Sequence, residues 1–141
     1  MAGEKDLRKL LASMSPWLDE AEYVFTLAPG GEVPGDVRPF VTVREDEGLT
    51  LVLLREEADR VGLAYDYVAA RITLRVHSAL DAVGLTAAVA TALAEVGLSC
   101  NVVAGLHHDH LFVSYAEGGR ASAVLAGLAA GGSSGTPPAA G

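Results

Sequence analysis

Side chains able to do chemistry are concentrated in two stretches. One is His107-His108-Asp109-His110, and the other is Ser78-Ala79-Leu80-Asp81-Ala82-Val83-Gly84. Imidazole and carboxylate suit zinc and other transition metals, so the first stretch invites a metal. Alternation along a strand or hairpin sends neighbouring side chains to opposite faces. At most two of the four then converge, His108 with His110, joined by His77 from another strand, whereas a zinc site takes three or four protein ligands. A polar hairpin turn is the default account. A third has Asp109 at an inner edge, where its carboxylate reads a basic or amino group of a ligand. No metal is assigned.

The second stretch precedes an alanine-rich segment, Leu85–Val96, with helical spacing of Leu85, Val89, Leu93 and Val96. Backbone N–H groups at a helix start attract a carboxylate. Gly84 lets that carboxylate come close to the backbone, and Asp81 is placed to hold an ammonium group. Asp81 as a plain helix cap is the competing reading. The candidate ligand contacts are therefore Ser78, Asp81, Val83, Gly84, Leu85 and Thr86, with Asn101, Asp109 and Glu47 from outside the stretch. Asn101 lies in an apolar strand and reads first as a structural hydrogen-bonding residue, second as a ligand contact. Glu47 belongs to the acidic turn Glu45-Asp46-Glu47-Gly48, either solvated or facing a second unit. Cys100 has no cationic neighbour in sequence to activate it and reads as core. Trp17 reads as a lid on a small core. No nucleophile–base pair and no catalytic motif of known spacing is present.

The elements that must position these residues fit one small chain. It has 141 residues, half of them apolar, and a net charge of −8. Such an acidic chain is unsuited to non-specific nucleic-acid binding, which needs a basic surface. The charge is uneven: residues 1–70 carry 14 acids and 7 bases, residues 71–141 only 4 acids and 3 bases. The single cysteine permits no intrachain disulfide. Without a signal-like start or an apolar run of roughly 18 residues, the expectation is a cytoplasmic protein that engages no membrane.

In chain order the patterns predict a helix over 4–14, a strand at Glu22–Leu27, a Pro/Gly-rich loop at Ala28–Pro39 and a strand at Phe40–Arg44. A hairpin turn, a buried strand at Leu49–Leu54 and a short helix at Arg55–Val61 follow. Then come a strand at Arg71–His77, the Leu85–Val96 helix, strands at Leu98–Ala104 and Leu111–Tyr115, and a helix at Gly118–Leu128. Residues 40–54 and the helix after them lay onto residues 100–116 and their following helix, Glu45–Gly48 opposite His107–His110. Both halves run strand, turn, strand, helix, and the first lacks the helix that the second carries between its first two strands.

The run from Ile72 to Val113, strand–Ser78…Asp81-x-x-Gly84–helix–Leu98-x-x-Asn101–strand–turn–Phe112-Val113, resembles the ACT domain. With Tyr23-Val24-Phe25, Glu47-Gly48-Leu49-Thr50-Leu51-Val52 and His108-Asp109-His110, the chain is similar to small stand-alone tandem-ACT proteins, and distantly to the cytosolic arginine sensors of animals. The resemblance implies an α+β fold of two ferredoxin-like βαββαβ units, antiparallel sheets with helices on one face, the first unit degenerate. The expected division is 1–68, 69–129 and a disordered tail at 130–141. It also implies a regulatory protein, not an enzyme. A small molecule, an amino acid by class, would be held at an ACT–ACT interface of a homodimer, with no cofactor. A ligand-free dimerisation module and a metal-dependent enzyme using the His107–His110 turn are the alternatives.

Overall fold

A computed structural model describes residues 6–76 and 83–131. Helix α1 (Leu7–Ser13) is shorter than its pattern suggests and starts where the Asp6 carboxylate accepts from the N–H groups of Arg8 and Lys9 at 3.0 and 3.3 Å. It is followed by β1 (Ser15–Leu27), β2 (Val41–Glu45), β3 (Gly48–Leu54), α2 (Arg55–Arg60), β4 (Val68–Arg75), α3 (Leu85–Glu95), β5 (Asn101–Ala104), β6 (Asp109–Ser114) and α4 (Gly118–Gly131). α4 extends past its expected end; the rest of the expected tail, 132–141, lies outside the described residues.

The strands form one antiparallel sheet in the order β2-β3-β1-β4-β6-β5. Read from either edge, a hairpin packs beside a central strand, so β1–β2–β3 and β4–β5–β6 are the two ferredoxin-like repeats, sharing the β1–β4 pair. The repeat seen in sequence is this symmetry: β3 corresponds to β6, and the 28–40 loop with its short 3-10 turn at Pro29–Gly31 stands where the second repeat has α3.

β1 is seven residues longer than Glu22–Leu27. Both halves pair with β4, but only the later one, Tyr23–Leu27, also pairs with β3, so Ser15–Asp19 has β4 alone. The earlier half therefore has β4 on one side only, which is how a strand tolerates Pro16, a residue with no N–H to donate. A bulge separates the halves, because Asp19 faces Arg71 and Tyr23 faces Ala69.

Among the described residues every helix lies on one face. Leu10, Leu11 and Met14 at the N-terminus pack with Leu85, Val89 and Leu93 of α3, Ala121 and Leu125 of α4, and Ile72, Leu74, Leu111 and Val113 of the sheet. α1 thus packs on the second repeat. A smaller cluster joins Ala58 of α2 to Val24, Leu51 and Leu53. Among the described residues the other face has no helix. Tyr23, Val52, Ala69 and Phe112 are nonetheless buried there beneath Phe25, Val41, Leu54, Tyr67 and Val103.

Candidate functional site

Chain continuity and strand register place the helix-opening end. β4 leaves the sheet after Arg75, and the chain returns at Val83 and Gly84 to begin α3. Gly84 is the cap of α3 at φ +102°, and a β-carbon there would meet Leu7 Cδ2 of α1 at 3.1 Å. Both facts favour glycine, whose missing side chain leaves the first-turn N–H groups uncapped by the cap residue itself. Leu85 is buried in the core, so only its backbone can face a ligand; Val83 and Thr86 are exposed. Ser78 and Asp81 lie outside the described residues, as does His77.

Asp109 belongs to the same end. It pairs with Leu74 on one side and Ala104 on the other, just before β4 leaves the sheet. Paired residues share a face, so its carboxylate points to the helix side, as Leu74 does. It is half-buried and takes no hydrogen bond or ion pair among the described residues. Burial pushes its pKa above the ordinary carboxylate value, and His108 only partly counters that.

The other two candidates are not brought to this end. Asn101 pairs with Phe112 and is therefore on the open face. Glu47 sits in the exposed turn between β2 and β3, at the opposite corner of the sheet, since β3 and β6 flank the central pair from opposite sides and their hairpins point opposite ways. The correspondence of Glu47 with Asp109 is one of symmetry, not contact.

Alternation puts His108 and His110 on one side of their strand and His107 and Asp109 on the other. His110 is on the open face with Nδ1 2.9 Å from Thr73 Oγ1, while His108 buries an Nδ1 that has no hydrogen-bond partner among the described residues. No three His, Cys, Asp or Glu side chains among the described residues are grouped to hold a metal ion. Cys100 is half-buried, and burial pushes its thiol up to about 11, the opposite of an activated nucleophile.

One cluster went unread in the sequence. Arg71 on β4 donates to Asp19 Oδ2 at 2.8 Å, to Thr73 Oγ1 at 2.6 Å and to Tyr23 Oη at 3.2 Å. Its guanidinium carbon is 4.4, 5.4 and 5.5 Å from the ring centres of Phe40, Tyr23 and Trp17. Burial alone would raise the Asp19 carboxyl; the Ala21 N–H, Tyr23 hydroxyl and Arg71 outweigh it and hold the pKa below 3.8. Trp17 is no core lid: it is 41 % exposed on the helix-free face, with Arg75 also over its ring. Alternation in RITLR, which sends Ile72 and Leu74 to one side, was the available signal that Arg71 and Thr73 share the other.

A family model described as ACT domain matches residues 2–70. A Vibrio cholerae protein, solved as a protein of unknown function and possible transport protein, is 47% identical over 89% of this chain and 97% of its own, with a TM-score of 0.78. Residues 2–70 belong to the ACT domain family. Two more distant structures share the fold. An Agrobacterium tumefaciens protein is 21% identical, covering 82% of this chain and 89% of its own, with a TM-score of 0.68. The ligand-free regulatory subunit of aspartate kinase from Thermus thermophilus is 8% identical, covering 81% of this chain and 95% of its own, with a TM-score of 0.60. No protein of curated function matches. The family match covers the repeat without the intervening helix, so this is an ACT unit with its first helix replaced by a loop. Among the described residues no helix is long and apolar enough to cross a membrane.

Proposed function

We propose that this ACT protein is a regulatory, non-catalytic module that binds a small molecule, an amino acid by class, where the opening of α3 meets a second ACT unit, within a homodimer. The observation that carries the reading is the pairing of two opposite polarities at one end of the sheet. The α3 start offers backbone N–H groups at a glycine cap, suited to a carboxylate. Asp109 offers a half-buried carboxylate without a partner among the described residues, suited to an ammonium group. A zwitterion supplies both charges. The structural likeness to a kinase regulatory subunit agrees in fold, and a binding module needs no nucleophile.

Ligand binding to the folded state alone raises stability by about 2.7 kcal/mol at 100 times the dissociation constant. The full chain is melted with each of the twenty amino acids in turn. At least one should raise the melting temperature, and Asp109→Asn should abolish that rise while melting normally without ligand. A panel with no shift would remove amino acids as the ligand class.

A further inference from the structure

The helix-free face carries a polar chain that the proposed ligand site does not use. It runs Asp19, Arg71, Thr73, His110 across β1, β4 and β6. The chemistry of the groups fixes the direction of each bond. Arginine only donates, so Thr73 Oγ1 accepts from Arg71 Nη1. Thr73 is 4 % exposed, has one proton to give, and meets no other acceptor among the described residues. It therefore donates to His110 Nδ1, which makes His110 a neutral imidazole protonated on Nε2.

The same imidazole packs edge-on against Phe40, centres 5.0 Å apart at 84°. Phe40 ends the loop that replaces the first repeat's helix, and its N–H is anchored to Val52 O at 2.7 Å. Its ring also lies 6.1 Å from Phe112. Phe40 comes from the first repeat and His110 and Phe112 from the second, so the end of this loop straps the two repeats together on the face that no described helix covers.

We propose that His110 is a proton-sensitive latch: as a neutral imidazole it fastens the Phe40 strap across the two repeats, and its protonation loosens it. A proton on Nδ1 would turn the imidazole from acceptor to donor and leave the buried Thr73 proton without an acceptor. It would also set a second cation beside Arg71. Among the described residues no anion on this face is spare, and Asp109, next to His110 on β6, points to the helix side. Arg71 on β4 and His108 in the preceding turn are basic. Asp19 on β1 is matched by Arg71, and Tyr23 on β1 donates to Asp19. Phe40 carries no charge. Burial, then Arg71 and His108, hold the His110 pKa below 6.5. A base with a lowered folded pKa gives stability that is complete above 6.5 and declines as pH falls below it.

Trp17, the only tryptophan, lies against the same Arg71 and reports on the cluster. The emission of the full chain is followed from pH 8 to pH 5, with far-ultraviolet circular dichroism to show that the fold persists. The wild type should show a transition with its midpoint below 6.5. In His110→Asn, whose amide oxygen can accept the Thr73 proton but does not titrate, it should be absent. If that variant does not fold, Thr73→Val serves: freed of the hydroxyl, the imidazole should titrate at a higher pH than in wild type. A flat wild-type profile, an unchanged transition in His110→Asn, or an unmoved midpoint in Thr73→Val would overturn the latch.

Discussion

Asp19 and Arg71 form the least exposed ion pair on the described surface, with side chains 19% and 12% exposed. Removing one partner of such a pair leaves the other charge buried and uncompensated, which costs more than the pair itself contributes. Asp19→Asn should lower stability at neutral pH by about 3 kcal/mol, read by urea unfolding. The pH dependence has a definite sign. A carboxyl whose folded pKa lies below its unfolded value gives stability that is present above pH 3.8 and lost as pH falls through the folded value. The wild-type acid limb should therefore be steeper than that of Asp19→Asn; parallel limbs would show that Asp19 is not held ionised by the fold. This cluster was hard to read in sequence because it depends on register. Residues 19, 71 and 110 meet only once β1, β4 and β6 are aligned, and no spacing in the chain encodes that alignment. Gly84, by contrast, was legible, because its demand is local: a turn into an alanine-rich helix.

At the scale of elements, hairpins and helices with strong periodicity were readable. The α3 stripe of Leu85, Val89 and Leu93 is buried as its spacing requires, and the first hairpin turns at the acidic stretch as expected, whereas the second turns at Gly105–His108, two residues before the expected His107–His110, because Asp109 and His110 already pair in β6. The first half of β1 was not readable. Pro16, Asp19 and Glu20 break alternation, and only the one-sided pairing with β4 makes a strand of that stretch. The junction of α1 with α3 shows how a single residue sets element packing. A side chain at Gly84 must adopt φ +102° and press on Leu7. Gly84→Ala should cost about 1–3 kcal/mol, measured by thermal unfolding, and a neutral result would mean that α1 can shift away without loss.

The whole molecule is two repeats that share their central strands. Because Leu10, Leu11 and Met14 sit in one cluster with Leu93 and Leu125, each half lacks part of the core that the other supplies. Residues 1–67 and 68–141 made separately should show no cooperative unfolding, and mixing them should restore it. Independent folding of the second half would contradict the shared core. That sharing was hidden in sequence, where the repeats read as consecutive units; the β1–β4 pairing that fuses them is a long-range contact. The −8 net charge and the acidic first half are properties of the surface and leave this packing untouched.

The central claim is that a zwitterionic ligand sits at the opening of α3. Its most direct test is amide-resolved nuclear magnetic resonance of the full chain, titrated with the amino acid that stabilises it most. The account predicts saturable shifts at Gly84, Leu85, Thr86 and Asp109, with Glu47 of the distant hairpin following only if a second unit closes the site. Saturable shifts that leave Gly84–Thr86 and Asp109 unmoved would contradict it.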